Sequence, residues 1–257
     1  MDLSDVSYII PYRYLDNYRR NNLLFVIDYI KKILPEIELF VLEQDKNRTL
    51  EDIPGVKYLF LKNEDLFNRS WAFNVAVKHT DKNLFVFADA DIIIKKDDLA
   101  QAVSFSNSYL AVKPFNIRLH VSNEKTNELY ETKNWGVTEK DIIGKAENDP
   151  FCAGIVLMTR QCFNEISGWE EKCYGWGAED DIEDIKIKKF INHKRLYNIC
   201  WHLYHPRSDK NDFINHYNYQ NNVNLFGEYA RMRQDELLKI IKETKLTIGN
   251  INKYDKG

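Results

Sequence analysis

Apolar positions along this chain fall into two alternating rhythms. Short apolar runs at residues 6–10, 37–42, 56–60, 84–88 and 109–113 have the length of buried strands. Between them the spacing is helical: Leu23, Leu24, Val26, Ile27, Ile30, Ile33 and Leu34 mark a helix over 16–34 that Pro35 ends. Two shorter helices are predicted over 68–78 and 98–106. Pro11 and Pro114 stop the first and last of these strands, and Pro54-Gly55 turns the chain into the third. Strand alternating with helix predicts an α/β fold, with a single mostly parallel central sheet flanked by helices and joined by right-handed crossovers.

The second half is less regular. Residues 116–149 are rich in Asn, Glu, Lys and Thr and lack a clear period, so a mobile substrate-binding loop is expected there. A strand over 151–158, helices over 159–166 and 179–192, and a strand over 195–200 follow. Leu237, Leu238, Ile240 and Ile241 then mark a C-terminal helical extension. The division expected is a main domain at 1–209 and an extension at 210–257 packed on it.

Composition narrows the function classes. The 257 residues are 44% hydrophobic and 29% charged, enough for one large domain with an extension. A net charge of −3 argues against a general nucleic-acid or membrane-surface binder. The four cysteines, Cys152, Cys162, Cys173 and Cys200, form no CxxC pair, which predicts free thiols and a reducing compartment. The acidic start leads straight into the first strand and no apolar run reaches eighteen residues, so a soluble, cytoplasmic chain without a membrane span is expected.

Three stretches carry candidate chemistry. The run 84–88 ends in Asp89 and Asp91 with one alanine between them, at the strand edge where α/β sheets bind ligands. A metal site and a helix cap near Asp97 explain this pair equally well. The stretch 173–181 sets glycines around Trp176 and then places Glu179, Asp180 and Asp181 at a helix start. Those acids offset the helix dipole, but the Gly-Trp-Gly frame suits a ligand-facing hinge. His202 and His205 lie three apart near a turn, and imidazole suits Mn, Fe or Zn.

The order of these motifs is more specific than any one of them. Ile9-Ile10-Pro11-Tyr12-Arg13, residues 67–74 around Arg69, Asp89-Ala90-Asp91, residues 174–181, and His202-Leu203-Tyr204-His205 follow one another in a sequence that resembles the GT-A glycosyltransferases of the β-1,4-galactosyltransferase type. The resemblance covers about residues 7 to 209. It implies a GT-A fold and an inverting, metal-dependent transfer from a UDP-sugar, UDP-Gal or UDP-GalNAc favoured, to a glycan acceptor. It further implies Mn²⁺, with Mg²⁺ able to substitute. By the same resemblance Pro11, Tyr12, Arg13, Arg69, Asp89 and Trp176 match donor-binding positions, and Asp91, His202 and His205 match metal ligands. Asp180 falls on the catalytic base, and Glu179 with Asp181 on acceptor-binding acids. Two departures stand out: Leu15 replaces an arginine of the family, and Phe151-Cys152-Ala153-Gly154 replaces an aromatic pair followed by two glycines.

The rival readings are a nucleotidyltransferase or metal-dependent phosphoesterase, and a non-catalytic nucleotide-sugar-binding module. A nucleotidyltransferase wants a glycine-rich phosphate loop after the first strand, and residues 11–14 contain no glycine.

Overall fold

The computed structural model describes residues 3–206 and 218–255. In chain order the first half comprises β1 (Val6–Tyr12), α1 (Asn17–Ile33), β2 (Glu38–Asp45), β3 (Lys57–Lys62), α2 (Arg69–Lys78), β4 (Leu84–Ala88), β5 (Ile92–Ile94) and α3 (Lys96–Phe105). The second comprises β6 (Ala111–Lys113), β7 (Ile117–Val121), α4 (Asn123–Thr132), β8 (Ile142–Glu147), β9 (Ile155–Thr159), α5 (Arg160–Ile166), α6 (Glu179–Phe190), β10 (His193–Arg195) and β11 (Ile199–His202). Helices Tyr219–Arg231 and Gln234–Thr244 follow.

Seven strands form the central sheet in the order β10-β6-β9-β4-β1-β2-β3. β9 runs antiparallel to both β4 and β6 and the remaining pairs are parallel, as the strand-helix alternation predicts. The period of two along each strand divides the core. Tyr8, Ile10, Val86 and Ala88 pack with Leu23, Val26 and Ile27 of α1. Ile9, Phe85 and Phe87 pack on the other side with Trp71, Phe73 and Trp169. There the Phe73 ring lies 4.8 Å from both Phe87 and Trp169, tilted or edge-on as aromatic quadrupoles favour.

Helix starts are fixed by local chemistry. The Asp16 side chain accepts from Arg19 N at α1, and the Asn68 side chain accepts from Trp71 N at α2, which makes Arg69 the first residue of that helix. At α6 the approach is different: Gly175, Gly177 and Ala178 all have positive φ, so the backbone turns sharply around Trp176 before the acids begin the helix.

A second, four-stranded sheet in the order β5-β11-β7-β8 adds to the central one. It overturns the expectation of a mobile loop at 116–149. β7 pairs parallel with β11 and antiparallel with β8, while Ser122 caps α4 between them. The period was hidden because this sheet is only partly buried: β8 alternates half-buried and exposed residues, and the exposed ones are Ile143, Lys145 and Glu147, so its apolar residues do not mark one face. The strand expected over 151–158 starts later, at Ile155, after a turn that ends at Gly154 with φ of 76°. The strand expected over 195–200 divides into β10 and β11, which belong to different sheets. β1 continues through Pro11, beyond the end of its pairing with β4 at Ile9, where a missing N–H is tolerated.

The C-terminal segment packs on the rest. Ser167 Oγ donates to Ile241 O at 2.6 Å, Trp71 Nε1 donates to Asn250 O at 2.8 Å, and the Tyr254 ring meets Trp71 edge-on. The boundary expected at 209/210 lies outside the described residues. All four cysteines are buried free thiols. Among the described residues no helix is long and apolar enough to cross a membrane.

Phe87 has no exposed surface and joins the sheet to the aromatic cluster just before the acidic pair. Phe87→Ala is expected to lower unfolding free energy by about 3–5 kcal/mol, read as a reduced urea midpoint at unchanged slope.

Candidate active site

The acidic pair sits in a turn between β4 and β5, where the chain leaves one sheet for the other. Asp89 N donates to Gly154 O at 2.9 Å, and Leu203 N donates to Asp91 O at 2.9 Å. The second bond continues the antiparallel pairing of β5 with β11 and brings His202 and His205 to Asp91 across more than a hundred residues. His202 Nε2 lies 3.8 Å from Asp91 Oδ1, and His205 Nε2 lies 3.4 Å from Asp91 Oδ2. One ligand atom from each lies within 4.8 Å of the others. Ligands at roughly 2.0–2.2 Å from a shared ion stand up to about 4.4 Å apart, so these separations leave room for one.

The electrostatics also suit a cation. Burial opposes the charge of Asp91, but His202 and His205 outweigh it and hold the carboxyl below its usual range. Burial pushes His202 down to about 4 despite Asp91, so above that pH its imidazole is neutral, the form that binds metal.

The acids at the start of α6 join this site through Arg69. Its Nη2 lies 2.8 Å from Asp89 Oδ1, while Nη1 lies 2.6 Å from Asp180 Oδ1 and 4.0 Å from Glu179 Oε1. The guanidinium also lies over the rings of Phe73 and Trp169. Burial works against its charge, but the three carboxylates raise its pKa further still. Burial pushes Asp89 up to about 6 against the pull of Arg69, and pushes Glu179 up to about 7 with Asp180 adding to the effect. Asp181 takes no ion pair with Arg69; it is half-buried, and burial followed by Asp180 raises its pKa.

The remaining expected positions divide. Pro11 and Tyr12 are buried at the end of β1, with the Tyr12 hydroxyl lacking a hydrogen-bond partner among the described residues. The Arg13 guanidinium is committed to the main chain: it donates to Gln44 O, Asp65 O and Asn63 O at 2.8, 2.6 and 2.8 Å. It shapes the loops beyond β2 and β3. Trp176 is 48% exposed and stacks on Tyr219 with ring centroids 5.5 Å apart. A cleft of about 550 Å³ lined by Val77, Thr80, Arg160 and Phe163 contains none of these residues.

Two neighbours escaped the sequence reading. His120 on β7 is the register partner of His202, their rings meeting edge-on at 5.1 Å. Arg118, two residues earlier, pairs with Asp149 at 3.3 Å. The only signal was a basic residue at positions i and i+2, inside a stretch read as a loop.

Residues 134–189 match the family model described as the N-terminal domain of galactosyltransferase. The chain is 26% identical over 180 residues to beta-1,4-galactosyltransferase 1 of Bos taurus, covering 68% of this chain but only 34% of that protein. It thus spans about a third of that relative's length. Among solved structures, a mannosyltransferase of Pyrobaculum calidifontis in complex with GDP-Man and Mn²⁺ superposes with TM-score 0.55, at 17% identity over 94% of this chain and 69% of that one. Glucosyl-3-phosphoglycerate synthase of Mycobacterium tuberculosis, with Mn²⁺, UDP and phosphoglyceric acid, gives 0.51 at 14% identity, covering 89% and 80%. The chain therefore has the GT-A fold, and its sequence likeness is of the galactosyltransferase type.

Asp89 and Glu179 titrate higher folded than in an unfolded chain. Such groups add stability below their unfolded values, and that contribution fades as pH rises through about 6 to 7. Removing Arg69 raises both further and leaves buried carboxylates unpaired. Arg69→Met is therefore expected to destabilise the chain by about 3–5 kcal/mol at pH 7.5, with the deficit shrinking toward pH 5, measured by urea unfolding at both.

Proposed function

We propose that this chain is a metal-dependent, inverting glycosyltransferase that moves a hexose or N-acetylhexosamine from a UDP-sugar to a hydroxyl of a glycan. UDP-Gal and UDP-GalNAc are the favoured donors. The observation that carries the reading is the convergence of Asp91, His202 and His205, joined through Arg69 to the acids at the start of α6. Carboxylate with two imidazoles is a donor set for Mn²⁺, whereas an all-oxygen set would favour Mg²⁺ or Ca²⁺. Mn²⁺ in both solved GT-A relatives supports that choice, with Mg²⁺ as a substitute. Those two structures hold GDP-Man and UDP, so the preference for UDP rests on the galactosyltransferase likeness.

Asp91, His202 and His205 would hold the cation, which when bound stabilises charge on the departing diphosphate. Pro11 and Tyr12 form the nucleotide end, with Arg13 keeping its loops in shape. Asp180 is the base: it takes the proton of the acceptor hydroxyl as that oxygen attacks the anomeric carbon. One base and one displacement invert the anomeric configuration. Arg69 fixes Asp180 through Oδ1 and, through Asp89, ties it to the turn that carries Asp91. Glu179, protonated for part of the time near pH 7, is suited to donate a hydrogen bond to an acceptor oxygen, with Asp181 alongside. Trp176 closes over the donor and keeps water out, a role supported by its exposure between glycines of positive φ.

Incubation with Mn²⁺, UDP-Gal or UDP-GalNAc and simple sugar acceptors is expected to release UDP. Asp180→Asn should lower transfer by about 10²–10⁴-fold and retain Mn²⁺-dependent UDP binding, followed by calorimetry. Asp91→Ala should lose that binding. Binding of UDP with no release from any donor would favour the non-catalytic module instead.

A further inference from the structure

The smaller sheet carries more than the two metal-site histidines. β7 and β11 are parallel and in register, with His120 opposite His202 and Arg118 opposite Cys200. Residues two apart on a strand share a face, so Arg118 lies on the face that presents His120 to His202. Its Cα is roughly 8 Å from that of His202, given strand rise and spacing. Arg118 is paired with Asp149, and both are largely buried, at 22% and 12% side-chain exposure.

This pair stands among polar groups that lack partners. Arg118 Nε, Asp149 Oδ2, Asn116 Oδ1 and Arg195 Nη1 are all buried without a hydrogen bond among the described residues. Arg195 Nη2 donates to Asp149 O at 2.7 Å, so the second arginine lies beside the pair. Buried donors and acceptors normally find partners, and the unmet atoms of the three touching residues Arg118, Asp149 and Arg195 point to a polar ligand or the water it displaces. The chain also ties the cluster to the acidic turn. Residues 149–154 fold back on themselves through Ala153 N donating to Pro150 O at 3.1 Å, and Gly154 O then accepts from Asp89 N at 2.9 Å. The buried Lys113 ammonium fastens this segment, donating to Pro150 O at 3.1 Å and to Ala153 O.

We propose that Arg118 and Asp149 form a sugar-reading end of the donor pocket, where the guanidinium and carboxylate hydrogen-bond hydroxyls of the transferred hexose. The inference rests on the transferase reading above and adds the residues that select its sugar. A neutral polyol fits better than a second anion, because the cluster offers acceptors as well as donors and Asp149 repels negative charge. A guanidinium and a carboxylate fixed against each other present fork-like donors and an acceptor at set angles, and this arrangement distinguishes epimeric hydroxyls.

Calorimetry with Mn²⁺ tests this, using UDP alone, UDP-Gal and its epimer UDP-Glc as titrants. Arg118→Ala and Asp149→Asn are each expected to leave UDP affinity within about twofold while lowering UDP-Gal affinity about tenfold and narrowing the preference between epimers. Arg118→Lys, which keeps the charge and loses the fork, should fall between. Equal losses for UDP and UDP-sugar, pointing to a structural role, would overturn the proposal, as would unchanged discrimination in all three variants. Unsubstituted protein that binds UDP but gains nothing from the hexose overturns this proposal alone; failure to bind UDP with Mn²⁺ overturns the transferase reading with it.

Discussion

The site depends on one buried cation. Arg69 opens α2 because Asn68 caps that helix, and from there its guanidinium reaches an acid at the end of β4 and acids at the start of α6. Without it, Asp89, Glu179 and Asp180 would crowd together with no compensating charge in a partly desolvated space. The aromatic rings of Phe73 and Trp169 beneath it let the guanidinium remain desolvated, and the same rings build the core against Phe87. Core packing and site electrostatics thus share residues, which ties the precision of the acids to the stability of the sheet.

A second constraint is topological. Asp89 and Asp91 would face the same way on a continuous strand, but β4 ends at Ala88 and β5 begins at Ile92 in another sheet. The turn between them lets Asp89 meet Arg69 while Asp91 meets the histidines. Their ionisation separates accordingly, upward for Asp89 and downward for Asp91. Two like residues two positions apart therefore ionise differently because their surroundings differ.

Much of this was legible in the chain. The helical spacing of 16–34, the apolar runs of the central sheet and the acids closing the strand at 84–88 carry strong local signals, and the order of motifs marked Asp91, His202 and His205 as one group. The smaller sheet was not legible. Its strands are three to six residues long and partly solvated, and its pairing joins β7 to β11 across about eighty residues. No periodicity within a window reports such a contact. Arg13 shows a different limit: the resemblance sets it among donor-binding positions, and in the structure three main-chain carbonyls take its donors. Sequence marks where a cation sits in the chain, whereas competition among acceptors decides what it binds.

The turn before α6 shows how local strain and chemistry meet. Ala178 adopts φ of 73° at the start of α6, a conformation that disfavours a side chain bearing Cβ, between Gly177 and the three acids. The turn is not loose, for Asn222 Nδ2 donates to Tyr174 O and Trp176 O at 3.0 Å each, and Trp176 stacks on Tyr219. Both partners belong to helix Tyr219–Arg231, beyond the stretch that resembles the transferase family. Any movement of Trp176 over a bound donor must break or carry along these contacts. The C-terminal helix therefore sets the resting position of the tryptophan, and through the short backbone link to Glu179 it bears on the acids that Arg69 holds.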